Sequence, residues 1–151
     1  MMKKGFGERD FAFVHPKGAI GKRLLRVESL MHKGKDIPRV GPDTPMSAAI
    51  EEMTRKKLGM TCVVDAGGRL LGVITDGDLR RMVRKFRGSV INKCARECMT
   101  PDPAGVEGSV LATEALNLME RRRITSLIVR GANGRVEGVI HLHDLWRTEM
   151  F

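Results

Sequence analysis

Tyrosine is absent from this sequence, and the aromatic side chains amount to one Trp and five Phe. Proteins that stack single-stranded nucleic acid on aromatic side chains usually offer more of them, so that class is not favoured. Three cysteines are an odd number that does not suggest a disulfide framework, and we expect a reducing, cytoplasmic location. No apolar run approaches the roughly 18 residues of a membrane span, and none follows the basic N-terminus as in a secretory signal.

Positive charge, in contrast, is abundant. Lys and Arg number 27 against 18 Asp and Glu, which gives a net charge of +9. The partner should therefore be anionic, which leaves phosphorylated small molecules, nucleic acid and acidic protein surfaces. The basic residues are dispersed along the chain, as on a solvated surface, so nucleic acid stays open without being favoured. A length of 151 residues suits one compact domain or two half-domains that share a core.

An internal repeat is the most informative feature of the sequence. Residues 72–79 (GVITDGDL) resemble residues 138–145 (GVIHLHDL) at an offset of 66. Met31 and His32 open the first unit as Met99 and Thr100 open the second. A further pair of matched segments, 49–53 and 115–119, keeps the offset of 66. The match of Thr61 with Thr125 predicts a local offset of 64, with turns of unequal length on either side.

Each unit predicts the order strand, helix, strand, strand, helix. The first helix of the first unit is expected to begin near Pro45, and Ser109 is the expected N-cap of its counterpart. Helices on one face of a small sheet leave the other apolar face open, and two units can bury these faces against each other. The predicted fold is therefore α/β (α+β), with two β-α-β-β-α units packed sheet to sheet about a pseudo-two-fold axis.

The pattern Gly-apolar-apolar-Thr-x-x-Asp at residues 72–78 resembles the signature of CBS domains, two of which in tandem form a Bateman module. The segment from Asp10 to Leu24, with His15 and Pro16, resembles the junction in arabinose-5-phosphate isomerases, where a sugar isomerase (SIS) domain precedes a CBS pair. Lys17 departs from the usual Gly of that junction. The resemblance implies a SIS tail and linker over 1–26, a first CBS repeat over 27–86 and a second over 87–151.

A binding site is predicted where the signature enters its helix. The Thr75 hydroxyl and the free N–H groups of the helix start suit a phosphate, and the Asp78 carboxylate can accept hydrogen bonds from ribose hydroxyls. The alternative is that Thr75 and Asp76 only cap the helix, with Asp78 as a charge in its first turn. The CBS resemblance implies the ligand roles and adds Val73 as a contact of the base.

The second unit carries His141 in place of Thr75 but keeps Val139 and Asp144, so we expect one strong site and one altered site. Arg122 and Arg123 precede the next strand, where a paired fold would bring them to the ligand of the other repeat. A solvated, basic helix end is the alternative for each of them, as it is for other arginines beside the signature, Arg80 and Arg81.

The resemblance implies a regulatory module that binds an adenine nucleotide or CMP-Kdo, and not an enzyme. In the full-length family it would modulate an isomerase that feeds Kdo and lipopolysaccharide synthesis. His15 resembles a catalytic histidine of that family but lacks partners here. We expect no cofactor, no metal and no membrane contact, with the SIS domain and a second copy in a homodimer as partners. A dimerisation scaffold without ligand and a basic nucleic-acid-binding module remain the alternatives.

Overall fold

The structure is a computed structural model that describes residues 24–147. His15 and the rest of the junction lie outside the described residues. The helices are α1 (Val27–Leu30), α2 (Met46–Lys56), α3 (Asp76–Phe86), α4 (Ala95–Cys98), α5 (Ala112–Arg122) and α6 (Leu142–Trp146), with short 3-10 turns at Gly34–Asp36 and Arg87–Asn92. The strands are β1 (Arg39–Val40), β2 (Met60–Val64), β3 (Leu70–Thr75), β4 (Thr100–Pro101), β5 (Gly105–Val106), β6 (Ser126–Arg130) and β7 (Val136–His141). No helix in this range is long and apolar enough to cross a membrane.

Two sheets form the centre of the fold, one in the order β1-β2-β3-β4 and the other in the order β5-β6-β7. In each sheet a short parallel strand precedes an antiparallel hairpin. A buried apolar cluster joins the sheets, and its members come from both repeats: Ile37, Leu58, Met60, Cys62, Val73, Ile128 and Val139. The predicted α/β architecture with sheet-to-sheet packing is confirmed.

The repeats exchange their opening segments. The first helix of the described residues, α1, packs against the core of the second repeat through Val27, while α4 packs against the core of the first repeat through Ala95 and Cys98. Accordingly β4, at the start of the second repeat, pairs with β3 of the first. In the other direction His32 pairs with Val139 of β7, with N–H to carbonyl distances of 2.8 and 3.0 Å. The exchange places one residue of each repeat at the signature of the other.

The signature glycines permit this exchange. A Cβ at Gly72 would lie 2.6 Å from the carbonyl oxygen of Thr100 and 2.8 Å from the sulfur of Met99. At Gly138 a Cβ would lie 2.5 Å from the sulfur of Met31 and 2.8 Å from the carbonyl oxygen of His32. Only glycine leaves room for the exchanged segments to cross the strands at this distance.

Two details of the sequence interpretation are wrong. The strand registers pair Met60 with Thr75 and Ser126 with His141, so the offset stays at 66 and does not fall to 64. Matching by residue type aligned Thr61 with Thr125, whereas the residue that occupies the position of Thr125 in the first repeat is Gly59.

The other correction concerns the helix start at Ser109. Helix α5 begins at Ala112 with Leu111 as its N-cap, and no side chain caps it. The backbone N–H of Ala112 donates instead to the carbonyl oxygen of Leu25, at 2.8 Å. The corresponding N–H of Met46 donates to the carbonyl oxygen of Lys93, at 2.9 Å, so the exchanged segments supply the partners that a cap would provide.

Candidate functional site

A cleft of about 710 Å³ opens between the two repeats at the first signature. Its wall on the side of the first repeat is the junction of β3 and α3, and its opposite wall is the end of α5 with the start of β6. The structure brings five of the predicted site residues to this cleft: Val73, Thr75, Asp78, Arg122 and Arg123. Arg80, Arg81 and Thr100 also line it.

Local hydrogen bonds fix the junction of β3 and α3. The hydroxyl oxygen of Thr75 accepts from the backbone N–H of Asp78 at 3.1 Å, and the Asp78 carboxylate accepts from the N–H of Thr75 at 3.0 Å. This reciprocal pair is a capping box, which follows from the three-residue spacing alone. Thr75 is therefore the N-cap of α3, as the alternative expected, but its partner in the cap is Asp78 and not Asp76. The ligand roles of Thr75 and Asp78 stay a prediction.

Asp78 is a buried carboxylate, only 4% exposed, whose two oxygens are both engaged. One oxygen accepts from the N–H of Thr75 and, at 3.1 Å, from the Thr75 hydroxyl. The other accepts from the Thr100 hydroxyl at 2.9 Å and from the guanidinium of Arg81. The Arg81 side chain is 64% exposed and approaches from solvent. Because an exposed ion pair contributes little to stability, Arg81 is the partner that a ligand could replace with the smallest loss of folding free energy.

The opposite wall supplies unpaired positive charge. Arg122 ends α5, and Arg123 follows it in the left-handed conformation with a φ of 56°. Within residues 24–147, no carboxylate pairs with Arg80, Arg122 or Arg123. These three guanidinium groups, one from α3 and two from the opposite wall, have no carboxylate partner and favour an anionic ligand, because a guanidinium binds phosphate through two parallel hydrogen bonds.

Val73 forms part of the cleft floor and also belongs to the central apolar cluster. Its strand neighbour Thr100 comes from the exchanged segment, so the floor is built from both repeats. An apolar side chain beside the carboxylate of Asp78 is a suitable surface for a heterocyclic base, and a purely packing role is the alternative.

The second signature repeats this arrangement with other residues. Asp144, 6% exposed, accepts from the backbone N–H of His141 at 2.7 Å and from the guanidinium of Arg147. The imidazole Nε2 of His32 lies 2.9 and 3.0 Å from the two carboxylate oxygens of Asp144. Val139 is fully buried and offers no surface to a ligand. The altered character predicted for this site therefore extends beyond the replacement of Thr75 by His141.

The surroundings of His141 favour its neutral form. Burial lowers the pKa of its imidazole below the usual value, and the neighbouring charge of His143 lowers it further. The Nδ1 of His141 accepts from the backbone N–H of His143 at 3.1 Å, and the two rings stack with their centroids 4.9 Å apart. His141 ends β7, whereas His143 lies in α6. No cluster of three or more metal-ligating side chains occurs in the described part of the chain.

Sequence reasoning missed two site residues, Thr100 and His32. Both were recognised as the openings of the repeats, but nothing local connects them with carboxylates that lie 22 and 112 residues away. The available signal was their equivalent position before the two units. Only the exchange of the opening segments brings them to Asp78 and Asp144.

Comparison with known proteins identifies the same family that the signature at residues 72–78 resembles. The family model described as "CBS domain" matches residues 27–85 and 95–145. Arabinose 5-phosphate isomerase KdsD of Pseudomonas aeruginosa is 45% identical over 147 residues, which cover 96% of this chain and 44% of that protein. The chain thus spans less than half the length of this relative.

Two solved structures show the fold. CBSX2 of Arabidopsis thaliana, solved in complex with AMP, has a TM-score of 0.71 at 24% identity and covers 83% of this chain and 96% of its own. The CBS domain pair of protein MJ0100, in complex with 5'-methylthioadenosine and S-adenosyl-L-methionine, has a TM-score of 0.73 at 18% identity, with coverages of 82% and 94%. The chain therefore belongs to the CBS domain family and is a tandem CBS pair, a regulatory module similar to the corresponding part of KdsD isomerases.

Proposed function

We propose that this CBS pair senses a nucleotide, either an adenine nucleotide or CMP-Kdo, in the cleft at Asp78, and that it regulates an arabinose-5-phosphate isomerase of Kdo synthesis. Similarity to KdsD supports the isomerase context. The AMP of CBSX2 and the adenosyl ligands of MJ0100 support a ligand that contains a ribose. The observation that carries the proposal is the juxtaposition of the buried Asp78 carboxylate with unpaired arginines of the other repeat.

The ribose is assigned to Asp78. Its carboxylate is held in place by Thr75 and Thr100, while the exposed Arg81 covers one oxygen. The two hydroxyls of a ribose can donate to this carboxylate in place of Arg81. The released guanidinium is then available to the ligand phosphate, so one exchange of partners serves both ends of the ligand.

The phosphate is assigned to the arginine wall. Arg122 and Arg123 face the start of α3 across the cleft. A helix N-terminus carries partial positive charge, which adds to the attraction of the guanidinium groups for an anion. The cleft volume of about 710 Å³ lies within the range of small-molecule sites, roughly 300–1,000 Å³, so the cleft is large enough for a nucleotide.

A ligand-free dimerisation scaffold is the second candidate function. Val83 on α3 and Trp146 on α6 are large apolar side chains that are about half exposed. Exposed apolar side chains of this size are available to a second copy of the chain, which is the homodimer expected from the family resemblance. Retained dimers with no response to any nucleotide would favour this candidate.

The test is thermal unfolding of the chain with AMP, ADP, ATP, CMP and CMP-Kdo. A ligand at about 100 times its dissociation constant should stabilise the folded state by about 2.7 kcal/mol. Arg122→Ala should weaken binding about 10- to 100-fold, since a charge-assisted hydrogen bond contributes roughly 1.5–3 kcal/mol.

Arg121→Ala is the matched control. Arg121 is its exposed neighbour on α5 and does not line the cleft, so the change in charge and in helix propensity is the same. Equal weakening by both variants would indicate general electrostatic attraction instead of a site. No response of the unmodified chain to any of the five ligands would contradict the proposed function.

A further inference from the structure

We propose that the second cleft, the space between the repeats at the second signature around Asp144, is closed by the chain's own opening segment, so that the pair binds one nucleotide and His32 determines this number. The inference rests on the proposed function of the first cleft. It concerns His32, Lys56 and the two residues that lengthen the linker after His32.

At the second signature, the imidazole of His32 lies beside the carboxylate that corresponds to Asp78, where a ribose would bind. His32 is the counterpart of Thr100, since each pairs with the signature strand of the other repeat. The Thr100 hydroxyl bonds one oxygen of Asp78 at 2.9 Å, whereas His32 Nε2 lies within 3.0 Å of both oxygens of Asp144. Since a carboxylate only accepts, Nε2 of His32 is the donor in this contact. Arg147 is the counterpart of Arg81 and is likewise exposed, so the two carboxylates differ in His32, which contacts both oxygens of Asp144, whereas Thr100 contacts one oxygen of Asp78.

The positive charge that would hold a phosphate in the second cleft already has partners within the protein. At the constant offset of 66, Lys56 corresponds to Arg122, each being the last residue of its helix. Lys56 Nζ donates to the carbonyl oxygens of Lys35 at 2.5 Å and of Ile37 at 3.4 Å. It also pairs with Glu52 at 3.3 Å. Arg122 has no such partner within the described residues, so a phosphate would have to displace Lys56 from the protein but not Arg122.

The length of the linker explains the difference. Seven positions separate His32 from Arg39 at the start of β1, but only five separate Thr100 from Gly105 at the start of β5. The longer linker contains the 3-10 turn Gly34–Asp36, which presents the carbonyl oxygen of Lys35 to Lys56. Ile37, which follows the turn, enters the central apolar cluster and anchors the end of the turn there.

Calorimetric titration with ATP and CMP-Kdo tests the inference through stoichiometry. The unmodified chain should bind one equivalent. The His32→Thr variant carries in the second cleft the kind of side chain that Thr100 has in the first, and it should bind two equivalents. The second equivalent should disappear in the double variant His32→Thr with Asp144→Asn. The reciprocal variant Thr100→His should close the first cleft and weaken nucleotide affinity there about tenfold or more. A tenfold change corresponds to a loss of about 1.4 kcal/mol in binding free energy.

The outcomes separate the inference from the function on which it rests. Two equivalents in the unmodified chain, or no added equivalent in folded His32→Thr, would overturn the inference while leaving the first cleft as a nucleotide site. No binding by the unmodified chain, together with one Asp144-dependent equivalent in His32→Thr, would contradict the proposed function and support the inference. Circular dichroism melts confirm that each variant is folded, and if His32→Thr does not fold, unchanged affinity in Thr100→His overturns the inference instead.

Discussion

Replacement of Gly72 by Ala should destabilise the fold, because the added Cβ would meet the segment exchanged from the second repeat. The contacts of 2.6 Å with the Thr100 carbonyl oxygen and 2.8 Å with the Met99 sulfur are both shorter than a Cβ tolerates. The sulfur lies on a flexible side chain and can move. The carbonyl oxygen belongs to the backbone of β4 and moves only if its pairing with β3 is distorted.

The magnitude follows from these two contacts. Overpacking of a tight site costs about 1–3 kcal/mol, and the distortion of one backbone hydrogen bond adds about 0.5–1.5 kcal/mol. The expected loss in the free energy of unfolding is therefore about 2–4 kcal/mol. With a urea m-value of about 2 kcal/mol/M, the unfolding midpoint should fall by about 1–2 M.

Gly88→Ala is the matched control for this measurement. Nothing lies within 4 Å of a Cβ at Gly88, and its φ is not in the left-handed region. The same substitution there should be neutral or stabilise by up to about 1 kcal/mol, because it reduces the entropy of the unfolded chain. Urea unfolding followed by circular dichroism compares the two. Equal midpoints for both variants would refute the close crossing of β3 and β4, and with it the exchange of segments.

Two further predictions concern titratable groups. Burial alone would raise the pKa of Glu52, but hydrogen bonds from the backbone N–H of Arg39 and from the side chains of Arg55 and Lys56 hold that pKa below its usual value. Glu52→Gln should therefore lower the free energy of unfolding by about 1–3 kcal/mol at pH 7. The difference should shrink as the pH falls below about 4, because the carboxylate becomes protonated first in the unfolded chain and then in the folded one. Equal differences in urea unfolding at about pH 7 and about pH 3.5 would contradict this. Burial raises the pKa of the Cys62 thiol to about 12 and also raises that of Cys98, whereas Cys94 is half-buried. A chromogenic disulfide reagent should thus modify one thiol rapidly in the folded chain and all three in urea, and rapid modification of a second thiol in the folded chain would show that the core around Cys62 or Cys98 is open.

Much of the first site was predictable because its interactions are local. The spacing of three residues between Thr75 and Asp78 is that of a capping box, whatever the rest of the fold. The apolar periodicity of the helices and the glycine turns of the hairpins also act over a few residues. The duplication of these signals then required a second, equivalent sheet to cover the open face of the first.

Local reasoning failed where a distant backbone replaced a local partner. Ser109 has the side chain of a cap, yet the N–H of Ala112 is satisfied by Leu25, which lies far away in sequence. The alignment of Thr61 with Thr125 failed because residue identity does not reveal hydrogen-bond register, which places Gly59, with a φ of 69°, at the position of Thr125.

The sequence by itself therefore determined the repeat, the order of its elements, the signature carboxylates and the basic residues at the end of α5. Tertiary structure alone decided which side chains meet those carboxylates. Asp78 receives the small hydroxyl of Thr100 beside an open cleft, and Asp144 receives the imidazole of His32 across 112 positions of the chain. The physical reason is the exchange of opening segments, whose contacts depend on the packing of two whole sheets and leave no mark on the spacing of residues within either repeat.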